Sequence, residues 1–250
     1  MKAADVAKVI ESHAPLSSGM AGDELGYVFG SAETPVRGVA VCWSPTLRVL
    51  GEAERLDCNM IVSHEPLFYQ KRWSADAEAK NEWILEAEDA DKAVNKKRTE
   101  ALERMGGCVF RCHSNWDPAP RIGIIDSLIS VLDLGEPTKR GRFTTLHEIP
   151  PVSVGDLARK VQSRLGTGPI RVTGDLDRRV TKVATLVGGL GQLFNSPEEP
   201  ADLGAEAVIE AGHCASENPG MKAMADWLAG ELPGMKVVFL DSGRDWGWVA

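Results

Sequence analysis

The chain has 250 residues, 43% of them apolar and 26% charged, which is enough apolar material to bury the core of one large domain or of two lobes. That balance excludes a disordered or fibrous protein. Lys and Arg total 28 against 36 Asp and Glu, and a formal net charge of −8 argues against nucleic acid or an anionic membrane as a partner.

Along the chain, residues 3–12 read as a short helix and HAPLSSGMAGDELGYVFG as a Gly-rich loop or edge segment. The apolar run VRGVAVCW (36–43) reads as a strand, residues 45–57 as a helix and NMIVSH (59–64) as a second buried strand. The Ala/Glu/Lys-rich stretch from Ala75 to Met105 reads as solvated helix ended by Gly106-Gly107. GGCVFRCH (106–113) is a third strand, and RIGIIDSLISVLDL (121–134) has apolar residues at helical spacing. Residues 135–151 form a connector, rich in Gly, Pro and basic side chains, with one strand in it (FTTLHEI). VSVGDLARKVQSRLG reads as a helix, PIRVTGD, KVATLVGGLG and GAEAVIEAGH as strands, PGMKAMADWLAGEL as a helix and MKVVFLD as a last strand. Strands alternating with helices imply an α/β fold.

An internal echo occurs at an offset of 100: RCHSNWDPAPRIGIIDSLISVL and EAGHCASENPGMKAMADWLAGEL each set a His at a strand end and an acid four residues later. Two lobes sharing a strand–HxxxD/E–helix plan would explain it. The N-terminal MKAADVAKVIESHAPL lacks the apolar h-region of a signal peptide. No run approaches the ~18 apolar residues of a membrane span. The five cysteines are scattered without CxxC pairs, so they are expected to be reduced and the protein cytosolic.

Three of the five histidines, His64, His113 and His213, fall at predicted strand ends with Glu65, Asp117 and Glu217 close by. One such histidine reads most simply as a strand cap, but three His–carboxylate pairs at equivalent positions point to a divalent metal, because imidazole nitrogen with carboxylate oxygen is the usual donor set for Zn, Fe or Mn. GGLGQLF (188–194) puts Phe194 where a third glycine of GxGxxG belongs and reads as a tight turn rather than a nucleotide loop. Cys112 and Cys214, each beside a His, read as buried thiols rather than nucleophiles. Trp116 is a candidate pocket wall, and Trp246 and Trp248 a candidate subunit contact.

IVSHEPLFY, HSNWDPAP and GHCASENPGMKAMADWL resemble the IITHHPL, HTNLDAAPGG and GHYASExPGxxALAxxL motifs of the NIF-three-like proteins, many of them labelled GTP cyclohydrolase I type 2. DELGYVFG (23–30) lines up with that family's DNVGLQVG segment. The resemblance implies two related α/β lobes, here 1–135 (with 219–250 packing on it) and 136–250, forming one domain with a dinuclear divalent-metal site in the cleft. It also implies a homo-oligomer, commonly a hexameric ring. Carried over by position, His64 and His213 bind one ion, Asp117 the other, and Glu217 bridges, while His113 faces the site. The chain departs from the pattern in three places: Glu65 stands where the family has a second His, Cys42-Trp43 where it tends to have Asp, and the link from VGGLG to GAEAVIEAGH is short.

Glu65 is either a ligand, which favours Mn²⁺, Fe²⁺ or Mg²⁺ at an all-oxygen position, or a general base beside a single ion. The expectation is a metal-dependent hydrolase of a small polar molecule, cleaving a C–N bond of a heterocyclic ring or an amide. It would use one or two Fe, Mn or Zn ions held by His64, Glu65, Asp117, His213 and Glu217, with Glu65 or His113 moving the proton. The alternative is a non-catalytic metal-binding or metal-delivery protein, such as an iron carrier, or a regulatory module.

Overall fold

A computed structural model describes residues 1–68, 82–188 and 204–243. The long-helix expectation before residue 82, most of the 188–194 turn, and Trp246 and Trp248 lie outside the described residues. The fold is mixed α/β, divided into two compact units.

The first unit comprises Met1–Asn115 and Ala225–Gly243. It is built on a five-stranded sheet of β1 (Gly26–Phe29), β2 (Gly38–Cys42), β3 (Met60–Ser63), β4 (Cys108–Arg111) and β10 (Lys236–Leu240), in the order β1-β4-β3-β2-β10. β10, β2, β3 and β4 are parallel in register, and β1 closes one edge antiparallel to β4. Every residue of β2, β3 and β4 is buried. This is the reason these strands read as continuous apolar runs: a parallel sheet is covered on both faces. On one face Ala40, Cys42, Ile61 and Val109 pack with Val49, Leu50 and Ala53 of α2 (Leu47–Arg55) and with Ala101 and Leu102 of α3 (Glu82–Arg104). The alternate residues Val39, Val41, Met60, Val62 and Phe110 are equally buried on the other face. α1 (Ala3–His13) buries Ala3, Val6, Ala7 and Ile10. α2 starts where the Thr46 hydroxyl accepts a hydrogen bond from Val49 N at 3.2 Å.

The second unit, Trp116–Met224 over the described residues, contains α4 (Ile124–Leu132), β5 (Lys139–Arg140), β6 (Thr144–Ser153), α5 (Val154–Leu165), β7 (Arg171–Gly174), β8 (Arg179–Leu186) and β9 (Ala207–Glu210). It also contains the start of α6 (His213–Glu231), whose residues from Ala225 onward belong to the first unit. β5, β6 and β8 form an antiparallel sheet, and β7 pairs with β9. α5 is capped at its start by the Ser153 hydroxyl, which accepts from Asp156 N, and ends on left-handed Gly166 with Thr167 N bonded back to Gln162 O. Trp116, a candidate pocket wall in the sequence, is 0% exposed.

The structure corrects one element. α6 begins at His213, six residues before the Pro219 start expected from sequence, and carries Pro219 inside it. Proline suits a first helical turn, and here it is tolerated further along at the loss of one backbone donor. His113 to Asp117 instead form turns, and α4 starts only at Ile124. The two echoing segments therefore differ in local structure.

Candidate metal centre

Three parallel neighbours, β2, β3 and β4, end side by side, so Trp43, His64 and Cys112-His113 emerge at one edge of the first unit's sheet. Ligand sites of open α/β sheets lie beyond such carboxyl ends. The chain leaving β3 is anchored on the chain leaving β2: His64 N donates to Trp43 O at 3.1 Å and Glu65 N to the same oxygen at 2.8 Å. His64 is 0% exposed. Its Nδ1 lies 3.0 Å from the Cys112 carbonyl, which only accepts, so Nδ1 carries the proton and Nε2 the lone pair. The His64 and His113 rings meet edge to face with centroids 4.8 Å apart. Within this unit a ring nitrogen of His64 comes within 4.8 Å of one on His113, and likewise of a carboxylate oxygen of Glu65.

His113 is set by a residue to which the sequence reading assigned no role. Asp23 Oδ2 accepts from His113 Nδ1 at 2.9 Å, from Ser114 N at 3.1 Å and from Ser114 Oγ at 2.5 Å, and its Oδ1 accepts from Arg111 Nη1 at 2.7 Å. Burial works against the Asp23 charge, but the hydrogen bonds from Ser114 and His113 and the charge of Arg111 outweigh it and bring the carboxyl down to about 2. For His113, burial is the main cause that lowers the ring's pKa, and His64 and Arg111 add to it against the pull of Asp23. The signal for Asp23 was its place at the head of DELGYVFG, but its partners lie about ninety residues away in sequence.

In the second unit, His213 and Glu217 stand one helical turn apart at the start of α6, with Nε2 3.1 Å from Oε2. Glu217 is 4% exposed. Gly188, just past β8, lies against this pair: a Cβ there would fall 1.9 Å from Glu217 Oε1 and 3.1 Å from His213 Nε2. Its φ of +65° is itself a glycine conformation. Gly188 N donates to Ser216 Oγ at 3.2 Å, and that hydroxyl donates to His213 O at 2.8 Å, so the backbone is drawn tightly onto the helix start. Asp117 is buried at 6% exposure in this unit. Cys112 is wholly buried, which pushes its thiol far above the usual range and removes it as a nucleophile. His147 is buried on β6 against the Thr145 hydroxyl at 2.7 Å, and His13 packs on Trp227 with centroids 5.0 Å apart.

The donors fit a divalent ion. Each unit contributes imidazole together with carboxylate, and His64 makes the carbonyl bond at its far nitrogen that typically orients a ligating ring. A glycine leaves the space that the Glu217 carboxylate occupies. The fold and these groups define an α/β protein with candidate donors that could hold a metal ion.

Comparison with known proteins specifies the family. Residues 1–203 match the family model described as Duf34/NIF3 (NGG1p interacting factor 3), and the chain belongs to this family. It is 24% identical over 269 residues to a protein of Clostridium acetobutylicum named GTP cyclohydrolase 1 type 2 homolog, covering 95% of this chain and 93% of that one. In fold it is similar to the solved structure of the protein ybgI, described as of unknown function, with a TM-score of 0.77 at 19% identity over 98% of this chain and 99% of that one. It is similar also to a Bacillus cereus protein related to NIF3, with a TM-score of 0.75 at 16% identity over 100% and 99% of the two chains. Among the described residues, no helix is long and apolar enough to cross a membrane.

Proposed function

We propose that the protein is a divalent-metal-dependent hydrolase of a small polar substrate, cleaving a C–N bond of a heterocyclic ring or an amide. The observation that carries this reading is an imidazole beside a carboxylate in each unit: buried His64 with half-buried Glu65 at the end of β3, and half-buried His213 with buried Glu217 on α6 under Gly188. His64, Glu65, Asp117, His213 and Glu217 would hold one or two Fe, Mn or Zn ions. The chemistry supplied by a bound divalent ion is to acidify water from a pKa of about 15.7 towards 7 and to polarise the group under attack.

The chain's own residues do the rest. The His64 ring is held as the Nδ1–H tautomer by Cys112 O, so its Nε2 is ready to donate electrons without first losing a proton. His213 and Glu217 are fixed in one geometry by the helix and by the close backbone of Gly188. Glu65 or His113 accepts a proton from water at the carboxylate or ring nitrogen and returns it to the leaving nitrogen. The name of the Clostridium relative makes GTP and other purine nucleotides the first substrates to try. Glu65 in place of an imidazole makes the donor set richer in oxygen and favours Mn²⁺ or Fe²⁺ over Zn²⁺.

The test is elemental analysis of untagged protein purified without added metal, followed by a turnover screen of nucleotides, pterins and cyclic amides. One or two ions per chain, with hydrolysis lost in Glu217→Ala, supports the reading. Stoichiometric metal with no turnover of any of these supports metal delivery instead. Protein that takes up no metal on reconstitution overturns both.

A further inference from the structure

We propose that His113 is itself a metal ligand, through Nε2, and that Asp23 is the residue that positions it. The inference rests on the metal-dependent reading above, adds to it an imidazole and the carboxylate that orients it, and so leaves the proton transfer to Glu65 rather than His113.

The first argument is chemical. Asp23 is an acceptor-only group at neutral pH, so the 2.9 Å contact to His113 requires the proton to sit on Nδ1. The neutral ring then carries its lone pair on Nε2. His64 is held in the same tautomer by a different acceptor, the Cys112 carbonyl. A far-side bond from Nδ1–H to a carboxylate or a carbonyl is how ligating histidines are oriented and made more basic. Here two neighbouring histidines have that bond.

The second argument is spatial. The two rings meet at 61° with centroids 4.8 Å apart, and a nitrogen of one ring lies within 4.8 Å of a nitrogen of the other. Two ring nitrogens at this separation are within reach of a single cation placed between them. Where the family resemblance implies a second histidine beside His64, this chain has Glu65, and His113 restores a second nitrogen donor to the first unit.

The third argument is rigidity. The Arg111 guanidinium donates to Asp23 Oδ1 and the Glu24 carbonyl, each at 2.7 Å, and through Nε to the His64 carbonyl at 3.0 Å. One buried side chain therefore ties the loop that carries Asp23 to the backbone of His64. Ser114 adds two further donors to Asp23 Oδ2, so the carboxylate cannot turn away from His113. The Arg111 charge is matched by that of Asp23, so the network presents no net positive charge to an incoming ion. Every group in the argument belongs to the first unit.

The experiment measures Zn²⁺ and Mn²⁺ affinity by chelator competition in the full-length wild type, Asp23→Asn and His113→Ala, with circular dichroism as the fold control. An amide at position 23 cannot accept on one side from Arg111 and on the other from His113 and Ser114. Asp23→Asn is therefore expected to bind about 10–100-fold more weakly, and His113→Ala at least as weakly. A second measurement needs no variant: ¹⁵N spectra of histidine-labelled wild type should show His113 protonated at Nδ1, with its Nε2 resonance displaced by Zn²⁺. Wild-type affinity in both folded variants overturns the inference, as does a His113 Nε2 resonance that does not move while that of His64 does. In either case the metal-dependent reading still stands. A wild type that binds neither ion overturns both.

Discussion

Nε2 of His213 lies 3.1 Å from Oε2 of Glu217 because α6 begins at His213 and sets residues four apart on one face. In sequence the HxxxE spacing admits a strand end followed by a loop. In the structure it is one turn of helix, with Gly188 pressed against the carboxylate.

Removing either member of that pair should strip the site without unfolding the protein. His213→Ala and Glu217→Gln are each expected to lower metal per chain at least severalfold, with an unchanged circular dichroism spectrum. The check is elemental analysis after reconstitution; unchanged metal in both variants would move the site elsewhere.

Gly188→Ala places a methyl 1.9 Å from Glu217 Oε1 at a φ of +65°. The left-handed conformation alone costs about 1–2 kcal/mol for a residue with a Cβ. The displaced carboxylate should in addition weaken metal binding beyond what that loss of stability explains. Denaturant unfolding of the metal-free protein measures the first effect, and chelator competition on the folded variant measures the second.

Glu65→His exchanges an oxygen donor for a nitrogen donor. If Glu65 reaches the ion, the Zn²⁺/Mn²⁺ affinity ratio rises in the variant. An unchanged ratio with lost turnover would instead assign Glu65 to proton transfer, so competition between the two ions decides its role.

At the other end of the pH scale, burial is the main cause that raises Tyr27 to about 12, with the charges of Cys108, Glu11, Asp5 and Glu33 adding to it. The folded pKa exceeds the unfolded value of about 10, so the unfolded chain loses this proton first. The contribution is complete below pH 10 and is lost as pH rises from about 10 to 12. Tyr27→Phe keeps the edge-to-face contact with Phe110, where centroids are 5.1 Å apart. It should therefore show a shallower fall in unfolding free energy across that window, measured by denaturant titration at a series of pH values. Equal slopes in the two proteins would refute this.

Much of the architecture was legible in the chain because burial leaves a local signature. VRGVAVCW, NMIVSH and GGCVFRCH read as strands because both faces of a parallel sheet are covered, so no polar alternation interrupts them. α5 was marked at both ends, by Ser153 and Gly166. A proline is a strong start signal in isolation and points to a helix from Pro219, whereas α6 begins at His213.

By itself the sequence determined the kinds of groups available: apolar runs for a buried sheet, and histidines with nearby acids for a metal. Only the tertiary structure decided which of them share space. His64 and His113 are neighbours because β3 and β4 pair in parallel, and Asp23 reaches His113 through a loop anchored by Arg111. Those pairings depend on strand order and loop path. Periodicity and spacing describe only residues a few positions apart, so they carry no record of a carboxylate that meets its histidine across ninety residues.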